Sequence, residues 1–520
     1  MIGIETEYGI YVEGKGAQDL VAEATHLVKL YPGVAATGWN YKNEHPRRDM
    51  RGFTVDHLSI DPTDAQFEQT NRPHSTDVEV RSDRVLTSGA RLYNDHGHPE
   101  FSTPECRTLQ ELIAQDRAGE RVMQLCAEKR MSRMSEGGLV ALYKNNTDYH
   151  GASYGTHESY LTGRGVPFEE LLQSVLPFFV TRQIITGSGK IGMEQSGSGS
   201  EATGNFYQLS QRSDFFTTIA SVDTLYNRPI VNTRDEPHTD PRKFRRLHVI
   251  CGDANLCETS TFLKVGTTLL TLRLLEAGWR AKEMSLRDPV NAIKQISRDE
   301  KRKWIVDRLS GGTIGAVDIQ RFYLAAARER FTGLSPDTDA VLTEWERVLN
   351  ALESDWLSLA DSLDWVAKYA LLSEFREAEG LPWNDSTMRS LDLEYHNVDP
   401  EAGLYYGLEQ EGRVRRIVTE EEIVAAMTTP PAASPRPVVR GIAVRKFAPS
   451  VSSVSWGEMT LNENGQSRVV RMTRVDDLDP TKLTETLSAT TTPSSFFSSL
   501  EQLEREAGTD KIPVDENGGA

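Results

Sequence analysis

The stretch LTSGARLYNDHGHPEFSTPEC, residues 86–106, decides how this chain reads. Successive residues of a strand face opposite sides, so in a strand over Arg84–Asn94 and its continuation Arg91, Tyr93 and Asp95 project together. Just beyond the following turn comes Glu100, with Thr103 close behind. One strand and one turn then carry a guanidinium suited to phosphate, a carboxylate able to act as base or nucleophile, and a carboxylate suited to magnesium. Read alone, the strand fits an Arg–Asp ladder on a sheet surface equally well.

The chain start tips that balance. MIGIETEYGI alternates like a strand, placing Glu5 and Glu7 on one face with Ile4 and Tyr8 on the other. Buried carboxylates are costly without a cation, so acids on two such strands together point to a metal–nucleotide site. His157 in YGTHESY and His238 in TRDEPHTD stand in polar, turn-rich settings, where an imidazole can complete a metal shell or polarise a carbonyl. RKFRR at 242–246, near Arg234, reads either as a solvated basic turn or as a phosphate or acidic-peptide contact. TGSGK at 186–190 is not a P-loop, because Ile184 and Ile191 stand where that motif needs Gly and Ser/Thr. No Ser-His-Asp or Cys-His set carries a recognisable local signature.

Bulk properties exclude several classes. At 520 residues, 38% hydrophobic and 26% charged, the chain is ordinary globular material able to bury a large core. No apolar run approaches the roughly 20 residues of a membrane helix, and the N-terminus lacks a signal-peptide layout, so a cytoplasmic protein with no membrane partner is expected. The formal net charge of −18 argues against a general nucleic-acid binder. Cys106, Cys126, Cys251 and Cys257 form no CxxC pair and read as buried reduced thiols.

Along the chain, a helix is expected over Ala17–Leu30, a polar turn-rich stretch over 36–82, and a helix over Leu109–Met131. Two strands are expected within 138–163, and then a helix from Phe168 leading into a strand RQIITGSGKIG. A Gly/Ser loop follows at 192–204, and a largely helical region from Cys257 to Phe375. A Pro-rich linker at 430–437 precedes small strands over 438–480. The Ser/Thr-rich and acidic end, 481–520, reads as a flexible tail with at most one helix.

The ordered motifs GIETEYG, LTSGARLYNDHGHPEFSTPEC, LYKNNTDYHGASYGTHESYL, TRQIITGSGKIG, QLSQRSDFF, NTRDEPHTD, RRLHVICGDANLCETSTFLKVGTT, SLDWVAKYALL and GLYYGL span most of residues 1–475. Through them the sequence resembles the Pup ligase/depupylase family, relatives of glutamine synthetase and the carboxylate–amine ligases. GIETE is closer to the ligase branch; the inserted stretch 36–82, HGHPEFSTPEC and TRDEPH resemble the depupylase branch. That resemblance implies an α+β fold, with a curved antiparallel sheet backed by helices over 1–428, a mobile inserted loop at 36–82 and a small C-terminal domain at 438–480. It implies ATP (or ADP plus phosphate) and Mg2+ as cofactors, Pup and pupylated proteins as partners, and the proteasomal ATPase ring as a further partner. Carried over by motif, Glu5, Tyr93 and Glu100 would serve magnesium, with Glu7, His157 and His238 as further metal or substrate residues. Arg91, Thr103 and Trp456 would contact ATP, and Asp95 would be the catalytic carboxylate. The expected reaction is hydrolysis of the isopeptide between the C-terminal side-chain carboxyl of Pup and a lysine, or deamidation of a terminal Gln. The alternative is the ligase reaction that forms the bond. Pup-like modifiers are acidic, so local arginines would have to offset the net charge.

Overall fold

The computed structural model describes residues 1–59, 81–135, 137–194 and 203–508. Its frame is one antiparallel sheet of seven strands: β1 (Ile2–Glu7), β2 (Ala35–Ala36), β3 (Arg84–Leu86), β4 (Arg91–Asp95), β5 (His98–Ser102), β6 (Thr156–Gly163) and β7 (Phe244–Val249). Their spatial order is β7–β6–β1–β5–β4–β3–β2. Period-two alternation sorts the side chains. Ile2, Ile4, Tyr160, Leu247 and Val249 enter the main core, while Glu5, Glu7, His157, Arg246 and His248 take the other face. Behind the sheet, the helices Phe168–Thr186, Glu258–Glu276, Ala316–Phe331 and Pro336–Ser354 supply most of that core.

The α+β expectation holds, and several local expectations do not. Arg182–Thr186, read as strand, are the last residues of the Phe168–Thr186 helix, and the strand is confined to Lys190–Met193. Ile184 and Ile185 favour strands locally, but both are fully buried in the helical layer, and tertiary packing overrides that preference. The Pro-rich stretch is not a plain linker. Pro435 opens a helix, Pro435–Phe447, in the first turn, where a missing N–H costs nothing. Strands occupy only Val451–Val454, Glu458–Glu463 and Gln466–Arg471 of the region beyond it.

The tail expectation is also corrected. Pro480–Ser488 and Pro493–Ala507 are helices, and Leu483, Leu487, Phe496, Phe497, Leu500 and Leu503 are buried in a second core with Val438, Ile442 and Val454. Residues 509–520 lie outside the described residues.

The segment 36–82, expected as a mobile loop, is anchored where it is described. Ala36 and Trp39 join the second core, and Met50 joins the main one. The buried Asp49 carboxylate accepts hydrogen bonds from Arg51 and Thr233, and Ser59 N–H donates to Asp223 at 2.7 Å. Residues 60–80, and 195–202 of the expected Gly/Ser loop, lie outside the described residues. Among the described residues no helix is long and apolar enough to cross a membrane.

Candidate active site

Strand register builds the site. Glu7 of β1 faces Glu100 of β5, which faces Tyr93 of β4; Glu5 faces His157 of β6; and Asp95 faces His98 across the β4–β5 hairpin. That hairpin turns through His96 and Gly97, with φ of 48° and 93°, the paired positive values of a two-residue turn matched to strand twist. Glu5, Glu7, Tyr93, Asp95, His96, Glu100 and His157 line a cavity of about 230 Å³.

The cavity has an acidic wall. Glu7, Asp95 and Glu100 bring carboxylate oxygens within 4.8 Å of one another, and Glu5, His157 and His248 form a second such cluster. Asp95 is braced on both oxygens: Arg81 Nη1 lies 3.0 Å from Oδ1, and His96 Nδ1 lies 3.0 Å from Oδ2. Burial works to protonate Asp95, but His96, Arg81 and Arg91 outweigh it and hold the carboxyl well below the usual range. Glu100 goes the other way. Burial first, then the charges of Asp95, Glu5 and Glu7, push its carboxyl well above the usual range. Glu100 makes no ion pair among the described residues, so this wall is short of positive charge.

Glu5 is oriented by two imidazoles, with His157 Nδ1 and His248 Nε2 each 3.2 Å from its Oε1. Burial opposes its ionisation, but His248, His157 and Arg246 prevail and keep it ionised. Arg246 Nη2 lies 2.8 Å from His248 Nδ1, and a guanidinium can only donate, so Nδ1 is the acceptor. Burial and then Arg246 keep His248 neutral, which leaves its proton on Nε2, facing Glu5. Carrying that proton, Nε2 has no lone pair for a metal, and it lies 3.2 Å from Glu5 without making a hydrogen bond to it. His157 keeps its place because residue 155 is glycine: a Cβ there would fall 2.1 Å from His157 Nε2.

The same cavity is also lined by Arg212, Arg228, Arg234 and Arg246. A neighbouring, more apolar cavity of about 100 Å³ shares Glu5, His238, Arg246 and Trp456 with the first and adds Met1, Thr103 and Arg436.

A family model described as Pup-ligase protein matches residues 1–460. The chain belongs to that family. It is 39% identical over 492 residues to the depupylase of Acidothermus cellulolyticus, covering 93% of this chain and 95% of that one. It is 38% identical over 488 residues to the Pup deamidase/depupylase of Mycolicibacterium smegmatis, covering 92% and 94%. The Pup–protein ligase of a Nocardioides species is 41% identical over a shorter 401 residues, 75% of this chain and 87% of that one. Among solved structures, the ligase PafA in complex with Pup superposes with a TM-score of 0.74 at 29% identity, covering 99% of this chain and 95% of that one. PafA in complex with ADP gives a TM-score of 0.70 at 31% identity, covering 88% and 96%.

Within this family frame, the fold brings nine of the ten site residues expected from sequence to the larger cavity: Glu5, Glu7, Arg91, Tyr93, Asp95, Glu100 and His157 from the sheet, and His238 and Trp456 from outside it. Thr103 stands apart in the neighbouring cavity, where its Oγ1 accepts the Ile4 N–H at 3.0 Å and braces β1. Arg91 reaches the cavity already engaged. Its guanidinium lies 4.1 Å from the Trp39 ring centroid and 3.8 Å from that of Tyr93, and it donates to Asp83 and Tyr41. His238 is held neutral, its pKa pushed down to about 3 by burial and then by Arg246. Trp456 packs edge-on against Trp39 at 5.1 Å, joining the 36–59 segment to the C-terminal strands.

RKFRR does not act as one patch. Arg242 is exposed and paired with Asp240, Arg245 alternates to the face away from the cavity, and Arg246 lines it. Sequence reasoning missed Arg81, Arg212 and His248. His248 was findable by the alternation that finds Asp95, since it sits two residues beyond Arg246 in RRLHV. Arg212 sat unassigned in QLSQRSDFF.

Proposed function

We propose that this chain is a depupylase: it hydrolyses the isopeptide between the C-terminal side-chain carboxyl of Pup and a substrate lysine, and deamidates Pup where it ends in Gln. The observation that carries this reading is extent of match. Relatives named as depupylases align over more than nine tenths of the chain, whereas the ligase aligns over three quarters at similar identity. The test is a gel. With ATP, magnesium and a Pup-conjugated protein, the conjugate is expected to disappear and free target to accumulate. Conjugate forming from free Pup, with ATP consumed in step, would establish the ligase reaction instead.

The ADP held by a structural relative supports nucleotide binding here. The apolar cavity beside Trp456 fits the base, and Arg246, which lines both cavities, with Arg234 in the larger one, fits phosphates. Carboxylate oxygens suit magnesium: Glu7 and Glu100, which cluster with Asp95, and Glu5, whose charge bears on Glu100, would hold it. When bound there, magnesium would supply positive charge to a carbonyl oxygen as it becomes an oxyanion. Asp95, ionised and braced by Arg81 and His96, acts at the carbonyl carbon, either attacking it or drawing a proton from the oxygen that does. Tyr93 closes the wall beside Glu100, with burial and then the Glu100 charge keeping its phenol protonated.

The electrostatics set a metal prediction. Without metal, Glu100 keeps its proton above the usual carboxylate range, whereas magnesium needs the carboxylate. Metal binding should therefore displace the proton from this residue and tighten as pH rises. An indicator dye in weak buffer reads the release; Glu100→Gln should abolish that proton and weaken binding. Equal release from the variant would remove Glu100 from the metal shell.

A further inference from the structure

Isopeptide hydrolysis ends with a lysine nitrogen leaving the carbonyl carbon. An alkylamine is a very poor leaving group as an anion, so a proton has to reach that nitrogen as the bond breaks. Asp95 is ionised and cannot supply it. Among the described residues, the histidines and tyrosines lining the larger cavity are Tyr93, Tyr154, His96, His157, His238 and His248.

Five of these six are ill suited to the task. Burial holds the Tyr93 and Tyr154 phenols well above their usual range, which makes them weak acids. His238 and His248 are held neutral, by burial and then by Arg246. His157 sets its Nδ1 3.2 Å from Glu5, on the metal-holding strand β1. His96 instead sits on Asp95, with Nδ1 3.0 Å from Oδ2. An ionised carboxylate in such contact stabilises an imidazolium and fixes its orientation. Asp95 therefore holds the Nδ1 proton, and the proton to be transferred is the one on Nε2. The His96 and Asp95 side chains are 28% and 19% exposed, so a spent ring can take its next proton from solvent.

The turn that carries His96 is built against local preference. A two-residue turn with positive φ at both positions favours Asn, Asp or Gly at the first, yet a histidine holds φ of 48° there. The strained position sets an imidazole beside the carboxylate that acts on the carbonyl carbon. We propose that His96 is the general acid that protonates the leaving lysine nitrogen. The imidazolium gives its Nε2 proton to nitrogen as the carbon–nitrogen bond breaks, and the bonding pair stays on nitrogen. The lysine leaves as a neutral amine, and the ring is left neutral with its remaining proton on Nδ1, donated to Asp95. Deamidation follows the same course with ammonia leaving. This rests on the depupylase reading.

The test varies the leaving group. One substrate is a lysine conjugate of Pup; the other carries an aryl ester on the same side-chain carboxyl, whose phenolate leaves without a proton. His96→Gly accepts the positive φ without strain and opens room for a small diffusible acid. In single turnovers with ATP and magnesium, it should cleave the conjugate roughly 100- to 10,000-fold more slowly than wild type, and the ester less than about tenfold more slowly. Added imidazole should speed conjugate cleavage by the variant and leave its ester rate unchanged. Equal losses on the two substrates, or equal rescue of both, would show a role confined to bracing Asp95 and overturn the proposal. If the variant does not fold, wild type decides. Side-chain amides of strongly and weakly basic amines should be cleaved at rates within about tenfold, because the enzyme supplies the proton; a steep rise toward the weakly basic amines would overturn it. A wild type that cleaves neither conjugate nor ester overturns the depupylase reading itself.

Discussion

Asp95→Asn is expected to lower isopeptide cleavage by roughly 1,000-fold while leaving ATP affinity within about twofold. The substitution keeps shape and volume but removes the charge and one of two acceptor oxygens. Arg81 and His96 each approach a different oxygen of Asp95, so an amide must turn its NH2 either toward Arg81, setting donor against donor, or toward His96, forcing the imidazole to accept at Nδ1. The acidic wall meanwhile loses one negative charge, which relaxes the pressure on Glu100, so the variant should fold and bind nucleotide. Single-turnover cleavage of a Pup conjugate and ATP titration of the same preparation separate the two effects. Turnover above a tenth of wild type would remove Asp95 from the chemistry. The pH dependence has a definite sign as well. The Asp95 pKa is depressed, so the active carboxylate persists as pH falls through the normal carboxylate range and is lost only below it. A loss of wild-type activity at higher pH than that reports some other group.

The legible and illegible parts of this site differ in physical kind. Alternation within a strand is local, so Arg91, Tyr93 and Asp95, or Glu5 and Glu7, could be grouped from sequence alone. Register between strands is not local. That Glu7, Glu100 and Tyr93 form one row depends on β5 entering between β1 and β4, which no composition or spacing announces. Arg81 was hidden for a different reason, because it closes a polar stretch with no periodicity and acquires its role only by reaching Asp95. The tail was misread because Ser and Thr dominate its composition. The pattern that packs it, Leu483 and Leu487, then Phe496, Leu500 and Leu503, has helical spacing on a polar background. Residues 182–186 erred in the opposite sense, with strand-favouring side chains recruited into a buried helix.

One strand of the site also carries the second large prediction, on stability. In β6, His157 faces the cavity, and the next residue, Glu158, must face the core. There Arg182 of the helix behind the sheet takes both its oxygens, Nη1 to Oε2 and Nη2 to Oε1 at 2.8 Å each, while Tyr160 Oη donates to it as well. Arg182 also bonds Thr268 Oγ1 at 2.7 Å, so one ion pair ties sheet and two helices together. Glu158→Ala leaves a guanidinium in a dry interior and should destabilise the protein by roughly 3–5 kcal/mol. Denaturant unfolding should show this as a lower midpoint with little change in slope. Replacing both partners with apolar residues, Glu158→Leu with Arg182→Met, removes the unpaired charge together with the pair and should recover most of the loss. That non-additivity is the diagnostic. If the single and double variants lose stability equally, the cost lies in packing volume and not in the stranded charge. If the double variant regains stability but cleaves Pup conjugates poorly, the ion pair's contribution is to the placement of β6, and through it of His157 beside Glu5.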